Sequence, residues 1–198
     1  MSLLFETIRI VNGVPQNLVW HETRMNLARE EVWKSVSPLI PGMEIKVPPE
    51  FSTGLVRCNI YYGMEIQEVS FKKYKKHIIR SLKLVNGFPG DYHLKYTDRS
   101  LLESCFALRG TSDEVIIIKD GFITDTSVSN LIFFSGNEWF TPSNPLLKGT
   151  CRSRLLTEGR LFEKDIRVED IHKYIGCKLI NAMRDLDEES LILVSEIS

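Results

Sequence analysis

Two residues of the sequence have the chemical type and the surroundings to take part in catalysis. Lys95, in YHLKYTDRS, lies among aromatic and apolar neighbours just ahead of an expected helix. Desolvation there would lower its pKa and make its amine nucleophilic, although on pattern alone a lone lysine is more often a surface charge. Asp125, in DGFITDTSVSNLIFF, lies at the mouth of a strand that looks buried. An unpaired buried carboxylate is costly, so Asp125 is expected to need a cation.

Two further stretches could bind an anion. KGTCRSRLL has the pattern of a glycine turn that opens a helix, where backbone N–H groups and the helix dipole favour a phosphate. Arg24, in HETRM, could clamp a phosphate with two N–H groups, although a plain helix start and a surface arginine are the simpler interpretations. Pyridoxal phosphate needs a lysine, a phosphate cup and a carboxylate against its protonated ring nitrogen. The three signals and Asp125 together match that cofactor, although their spacing alone does not establish it.

Composition limits the other possibilities. A chain of 198 residues that is 43% hydrophobic and 26% charged can form one medium domain or two small lobes with a real core. The net charge of −1 gives no electrostatic reason to expect nucleic acid, and the basic run 72–77 is expected to be a solvated strand end or loop rather than a polyanion patch. Four scattered cysteines without a CxxC predict no metal site. With no signal-like start and no long apolar span, we expect a cytoplasmic protein without a membrane partner.

The elements that must position these residues can be predicted from periodicity and turn signals. The expected strands are 3–11, ending at Asn12-Gly13, a hairpin of 54–63 with 64–71, 77–85, 114–119, 122–125, a hairpin of 130–134 with 138–142, and the closing strands 178–183 and 191–197. The expected helices are 21–36, 97–110 with Thr97 or Asp98 as N-cap and Gly110 as C-cap, and 148–159. The pattern is α+β. We expect a small N-terminal lobe, 1–86, and a larger C-terminal lobe, 87–198.

Five stretches give a family resemblance that covers nearly the whole chain. They are FETIRIVNG with HETRM, HLKYTDRSLLESC, GFITDTSVSNLIFF, FTPSNPLLKGTCRSRLL and KLINAMRD, in that order. On these motifs the chain resembles the fold-type IV pyridoxal-phosphate enzymes, or class IV aminotransferases. That family includes branched-chain and D-amino acid aminotransferases and aminodeoxychorismate lyases. The resemblance implies a two-lobed D-amino acid aminotransferase-like fold, mostly antiparallel sheets with a few helices.

The resemblance also implies a role for individual residues. It makes Lys95 the catalytic lysine that forms the Schiff base and Asp125 the partner of the pyridinium, in place of the usual glutamate. The remaining cofactor residues that it implies are Arg24, Thr150, Cys151, Asn181 and Ala182, all at the phosphate. Cys151 stands where the family has a hydroxyl, and Phe5 stands where some relatives have a tyrosine. Arg57 aligns with an arginine that meets a substrate carboxylate in some relatives, and an ordinary strand arginine remains the alternative.

Within the family, the Lys95 segment and the short chain favour an aminodeoxychorismate lyase. Such an enzyme converts 4-amino-4-deoxychorismate to 4-aminobenzoate and pyruvate in folate biosynthesis. An aminotransferase acting on a small branched-chain or D-amino acid is the first alternative, and a non-catalytic homologue that binds pyridoxal phosphate is the second. The presence of both Lys95 and Asp125 argues against the second. By resemblance we expect a homodimer that binds a small amino substrate and no metal.

Overall fold

A computed structural model describes residues 3–34 and 37–198 of the chain. The chain folds into two compact units. The first comprises the residues up to His77 together with Leu94–Asp98, and the second comprises Ile78–His93 and Arg99–Ser198. Within the described ranges, none of the helices has both the length and the apolar character needed to cross a membrane. The expected lobe boundary between residues 86 and 87 stays a prediction.

The first unit is built on a four-stranded antiparallel sheet. Its strands are β1 (Leu4–Val11), β2 (Val14–Pro15), β3 (Leu55–Tyr62) and β4 (Ile66–Lys73), in the order β2-β1-β3-β4. Asn12 and Gly13 both have positive φ, +48° and +80°, which is the backbone that a two-residue hairpin turn requires. The strand predicted at 3–11 and the hairpin predicted around Gly63 are therefore confirmed.

Two helices belong to the first unit. They are α1 (Leu18–Trp33) and the short α2 (Pro41–Glu44), which the sequence did not predict. Helix α1 begins three residues before the expected start, and residues 35 and 36 of the expected helix lie outside the described residues. Met25 and Ala28 of α1 pack in one apolar cluster with Leu4 and Ile8 of β1. Because side chains alternate along a strand, Glu6 points to the same side of β1 as these two residues.

The second unit contains two sheets and two helices. In chain order its elements are β5 (Leu82–Asn86), α3 (Ser100–Ala107), β6 (Glu114–Lys119), β7 (Phe122–Ile123), β8 (Asn130–Phe134), β9 (Trp139–Pro142), α4 (Thr150–Thr157), β10 (Phe162–Lys164), β11 (Gly176–Ile180) and β12 (Ile192–Leu193). The small sheet has the order β5-β6-β7, and the larger has the order β10-β9-β8-β11-β12. Two ladders, β5 with β6 and β9 with β10, are parallel, and the others are antiparallel. The predicted α+β class with mostly antiparallel sheets is confirmed.

Several of the predicted strands in the second unit have other boundaries in the structure. The strand expected at 77–85 begins at Leu82, because the N–H groups of Arg80 and Ser81 donate to the Asp113 carboxylate instead of a strand. The strand expected at 122–125 ends at Ile123, and the closing strands are shorter than expected.

Helix α3 also begins later than expected. Neither Thr97 nor Asp98 is its N-cap, because the N-cap position is Arg99 and the first helical residue is Ser100. The Thr97 hydroxyl donates instead to the Leu3 carbonyl at 3.0 Å, and the Thr97 N–H donates to the same oxygen at 2.9 Å. Thr97 therefore ties its segment to the N-terminal strand region rather than capping the helix.

Candidate active site

Arg24 on α1 is held by a buried carboxylate of β1. Its Nε donates to Glu6 Oε1 at 2.9 Å and its Nη2 donates to Glu6 Oε2 at 2.5 Å. Glu6 has no exposed surface, whereas the Arg24 side chain is 18% exposed. The pair fixes the plane of the guanidinium, because two parallel N–H···O bonds allow one orientation.

His21 completes this buried group. It lies one turn before Arg24 on α1, and its Nδ1 is 2.7 Å from Glu6 Oε2. Burial alone would raise the pKa of Glu6, but the Arg24 charge and the His21 hydrogen bond outweigh it and lower the pKa to about 2. Burial lowers the pKa of His21, and the charges of Arg24 and Lys95 lower it further, so that the raising effect of Glu6 is outweighed. Glu6 is therefore an anion and His21 a neutral donor at neutral pH.

Lys95 lies beside the face of β1 that carries Phe5, opposite to the face that carries Glu6. Its carbonyl accepts the Phe5 N–H at 3.0 Å, and its Nζ is 4.5 Å from the centroid of the Phe5 ring. Phe5 in turn stacks on Tyr61 of β3, with ring centroids 6.0 Å apart. Lys95 is thus half-buried, and its amine lies over an aromatic ring. The face of an aromatic ring attracts an ammonium, whereas a purely apolar environment would only desolvate it.

Arg57 lies farther along this face of the sheet. It is directly opposite Arg9 on β1 and opposite Lys72 on β4. Like charges that face each other across strands are destabilising, so a row of three cations favours an anion as its partner. Between this row and the Phe5–Tyr61 pair, the Thr7 hydroxyl donates to Asn59 Oδ1 at 3.2 Å.

Asp125 of the second unit is a buried carboxylate held by neutral donors. It is 4% exposed and follows β7, where it forms an isolated bridge with Asn130. Asn130 Nδ2 donates to Oδ1 at 2.7 Å, and the Leu147 N–H donates to Oδ2 at 2.9 Å. Burial raises the pKa of Asp125 to about 7, despite these hydrogen bonds and the charge of Arg152. Within residues 3–34 and 37–198, the hydrogen-bond donors to its carboxylate are neutral amides.

Asn130 links Asp125 to the start of α4. Its Nδ2 also donates to the Leu147 carbonyl at 2.7 Å. Its Oδ1 lies where Gly149 must lack a side chain, because a Cβ on Gly149 would be 2.0 Å from that oxygen. The glycine before α4 is therefore required by packing, in addition to the turn that the sequence indicated.

The first turn of α4 presents backbone donors at Thr150 and Cys151. The first helical bond inside this helix is from the Ser153 N–H to the Gly149 carbonyl, so the N–H groups before it precede the intrahelical ladder. Both residues are buried, and the predicted helix here is confirmed. Burial raises the pKa of the Cys151 thiol to about 12, and its sulfur is 3.7 Å from the Arg184 carbonyl. Cys151 is thus a neutral thiol at neutral pH.

Asn181 and Ala182 lie in a tight turn after β11. The turn is closed by reciprocal backbone hydrogen bonds between Asn181 and Arg184, and Asn181 Oδ1 accepts the Met183 N–H at 2.8 Å. Asn181 Nδ2 donates to Ser129 Oγ at 2.9 Å. The turn is therefore anchored to the segment between Asp125 and Asn130.

The expected site residues form two sets, one in each compact unit. Arg24, Lys95 and Arg57 belong to the first unit. The second unit connects the others by hydrogen bonds from Asp125 through Asn130 to the start of α4, and through Ser129 to Asn181. The structure describes each set within its own unit.

The second set fits pyridoxal phosphate on its donor chemistry. Asp125 is a buried acceptor whose hydrogen-bond donors in the described chain are neutral, which suits a protonated pyridine nitrogen. The first turn of α4 offers backbone N–H groups and a positive helix end, which suit a phosphate. Aspartate is shorter than the family's glutamate, and both its oxygens are already oriented by Asn130 and Leu147.

Sequence reasoning missed several residues that orient the site. Glu6 and His21 lie in the motifs FETIRIVNG and HETRM, and the sequence alone gives them no role, although a glutamate that alternates with Leu4 and Ile8 along a strand signals a buried polar contact. The Leu147 N–H could not be found from sequence, because a backbone donor has no residue signature.

Comparisons with known proteins show the family and the fold of the chain. Residues 65–186 match the family model described as amino-transferase class IV. A Haemophilus influenzae protein whose name gives no function is 42% identical over 188 residues, covering 94% of this chain and all of the relative. A crystal structure from Haemophilus somnus, provisionally named a 4-amino-4-deoxychorismate lyase, is 34% identical with a TM-score of 0.88, covering 94% of this chain and 98% of its own. A hypothetical aminotransferase from Mycobacterium tuberculosis in its PLP-bound form shares the fold, with 16% identity and a TM-score of 0.78 over 100% of this chain and 81% of its own.

Proposed function

The chain belongs to the class IV aminotransferases, a family of pyridoxal phosphate-dependent enzymes, and we propose that this member is a lyase. Its substrate would be 4-amino-4-deoxychorismate and its products 4-aminobenzoate and pyruvate. The Haemophilus somnus relative supports this choice by its provisional name. The family assignment rests on the family-model match over residues 65–186, whereas the choice of substrate is argued mainly from the geometry beside Lys95.

The observation that carries the proposal is the face of the first sheet next to Lys95. An aromatic pair, Phe5 and Tyr61, lies at the lysine, and the cationic row at Arg57 follows two strand positions beyond the Thr7–Asn59 pair. A flat surface followed by positive charge suits a substrate with a six-membered ring and carboxylates. A small branched-chain amino acid would use the aromatic surface but would not extend to the cations.

The cofactor residues in the proposal are those of the two sets. Arg24, the N–H groups of Thr150 and Cys151, and the turn at Asn181 and Ala182 would hold the phosphate, and Asp125 would hold a proton on the ring nitrogen. When bound, pyridoxal phosphate supplies an electron sink for the bond that breaks at the substrate carbon. Cys151 would act through its backbone N–H, because its thiol is buried and neutral.

The protein's own acid–base group in the proposal is Lys95. Its amine would bind the cofactor in the resting enzyme, then take the proton from the substrate carbon that bears the amine. The departing enolpyruvate needs one proton to become pyruvate, so the proton removed and the proton delivered balance. The two products contain all atoms of the substrate, and neither water nor an oxidant is consumed. Arg57 would hold a substrate carboxylate while the bond breaks.

A product assay tests the proposal. Protein saturated with pyridoxal phosphate is supplied with aminodeoxychorismate, and 4-aminobenzoate and pyruvate are measured in parallel. The same protein is supplied with pairs of amino donors and keto-acid acceptors. We expect equal amounts of the two products, no fast keto-acid exchange, and loss of product in Lys95→Ala. Fast exchange without 4-aminobenzoate would identify an aminotransferase and end the lyase assignment.

The same assay also tests the alternative that the protein is a non-catalytic homologue. Such a protein would show the visible absorption band of bound cofactor but neither reaction. The band itself should disappear in Lys95→Ala, since it depends on the lysine. If Lys95→Ala keeps the same absorption band, Lys95 is not the lysine that binds the cofactor, and the site assignment fails.

Three broader features complete the proposal. We propose that the protein is a homodimer, that it acts in the cytoplasm, and that its product enters folate biosynthesis. Light scattering on a sizing column tests the dimer, and fractionation of cells tests the compartment. Growth of a deletion strain that is restored by added 4-aminobenzoate tests the pathway.

A further inference from the structure

Glu114 is a buried carboxylate to which the proposed reaction gives no role. It begins β6 and is 3% exposed. Its Oε1 accepts the N–H of its neighbour Val115 at 2.9 Å, and its Oε2 accepts the Ser127 hydroxyl at 2.9 Å. Burial raises its pKa, and the hydrogen bonds and the Arg109 charge offset this only in part. A buried carboxyl group with hydrogen bonds to both oxygens is expected to hold a neighbouring group in a defined position.

Ser127 is what Glu114 fixes. Ser127 is 5% exposed and lies in the turn between Asp125 and Asn130. Its hydroxyl donates to Glu114, and its carbonyl accepts an N–H from Arg99 Nη2 at 2.7 Å. One residue of the turn is thus held by a carboxyl group on one side and a guanidinium on the other.

The rest of the turn is equally well bonded. The Thr126 hydroxyl oxygen accepts the N–H groups of Val128 and Ser129, at 3.3 and 2.9 Å. The Ser129 hydroxyl oxygen accepts Asn181 Nδ2 at 2.9 Å. These hydrogen bonds restrict the conformation of the turn. The turn begins at Asp125 and ends at Asn130, whose side-chain amide donates to the Asp125 carboxylate.

We propose that Glu114, Ser127 and Arg99 are positioning residues that set the place of Asp125 for the cofactor ring nitrogen. None of the three touches the cofactor in this proposal. They act by holding the turn from β6 and from the start of α3, so that Asp125, which is shorter than the glutamate usual in the family, keeps a defined position. The inference rests on the assignment of Asp125 within the proposed function.

The test measures cofactor binding, which does not depend on which reaction the enzyme catalyses. The variants are Ser127→Ala, Glu114→Gln, their double variant, Arg99→Met and Asp125→Asn. Ser104→Ala is the control, because Ser104 is exposed and its hydroxyl donates to the Leu101 carbonyl within α3. Affinity for pyridoxal phosphate is measured by equilibrium dialysis, and the pH midpoint of the visible band is measured at saturating cofactor.

We expect Ser127→Ala, Glu114→Gln and Arg99→Met each to weaken cofactor affinity about tenfold, the scale usual for loss of an outer hydrogen bond at a buried site. The pH midpoint should move in the same direction as in Asp125→Asn, and by less. The double variant should lose no more than about twofold beyond the worse single variant, because both changes act on the one bond between Ser127 and residue 114. Ser104→Ala should behave as the wild type.

Folding is checked separately by thermal melting without cofactor, where the variants should lie within about 4 °C of the wild type. If Ser127→Ala melts lower than that, Ser127→Thr, which keeps the hydroxyl, should restore both the affinity and the pH midpoint. Additive losses in the double variant, or unchanged pH midpoints, would overturn the positioning role while leaving Asp125 as the cofactor partner. An unchanged Asp125→Asn would overturn the inference together with the assignment of Asp125.

Discussion

Arg24 and Glu6 form a two-point ion pair, with Nε 2.9 Å from Oε1 and Nη2 2.5 Å from Oε2. Glu6 is completely buried, so its charge is stable only while the guanidinium and His21 remain in place. The residue proposed to bind the phosphate therefore owes its orientation to a carboxylate that touches no ligand. This arrangement makes Glu6 a sensitive point for stability and for cofactor binding.

We predict that Glu6→Gln destabilises the cofactor-free protein at pH 7 by on the order of 3 kcal/mol. The pKa of Glu6 is lowered from 4.5 to about 2, so its contribution is complete above pH 4.5 and is lost as the pH falls toward 2. Urea unfolding at several pH values should show the gap between wild type and variant closing over that window. Glu30→Gln, on the exposed side of α1, is the matched control. A gap that does not change between pH 5 and 2.5 would contradict the assignment.

We predict the opposite pH dependence for Asp125. Its pKa is raised from 3.8 to about 7, so the folded cofactor-free protein binds the proton more tightly and loses stability as the pH rises from about 4 to 7. Relative to Asp125→Asn, the wild type should therefore lose about 2–4 kcal/mol of unfolding free energy across this range. Added pyridoxal phosphate should restore stability in the wild type and much less in the variant. Parallel pH profiles for the two proteins would show that Asp125 is not the buried titrating group.

Gly149→Ala is predicted to disturb Asp125 indirectly, through Asn130. The new Cβ would lie 2.0 Å from Asn130 Oδ1, so the amide that holds Asp125 must move. We expect a loss of about 1–3 kcal/mol in unfolding free energy and weaker cofactor binding. Gly63→Ala is the control, since its Cβ would make ordinary contacts at 3.7 and 3.8 Å. Normal cofactor affinity in Gly149→Ala would mean that Asn130 can shift without disturbing Asp125.

Arg57→Met should affect the substrate and spare the cofactor. Loss of a charge-assisted hydrogen bond to a carboxylate is worth about 1.5–3 kcal/mol, so kcat/KM for aminodeoxychorismate should fall about 10–100-fold. Lys73→Met is the control, because Lys73 is next to Lys72 on β4 and points to the other face of the sheet. The affinity for pyridoxal phosphate should not change in either variant. Equal kinetics for Arg57→Met and the wild type would make Arg57 an ordinary strand arginine.

Local features of the fold could be predicted from the sequence. The turn at Asn12-Gly13, the hairpin at Gly63 and the helix after Gly149 all follow from residues close together in the chain. The start of α3 could not, because Thr97 has the side chain of a good N-cap yet donates to Leu3, more than ninety residues away. A local preference was overruled by a distant acceptor, which no window of sequence contains.

Prediction of the site from the sequence is limited in the same way, by contacts between distant residues. Lys95, Asp125 and Arg24 could be proposed because their chemical types are distinctive and their motifs resemble a family. The raised pKa of Asp125 could not, since it depends on the burial of the carboxylate in the folded protein, which the hydrogen bonds from Asn130 and Leu147 offset only in part. The anchoring of Asp125 comes from contacts between segments that are separate in sequence.

The path of the chain between its two compact units also limits how the enzyme can be divided. Neither unit is a continuous stretch, because Leu94–Asp98 belongs to the first unit although Ile78–His93 belongs to the second. A recombinant fragment ending at His77 would lack Lys95 and the main-chain hydrogen bonds from Phe5 to Lys95 and from Thr97 to Leu3. Exchange of one unit between relatives would therefore need two crossover segments. Split-protein complementation with a single break would have to keep that short segment attached to the N-terminal piece.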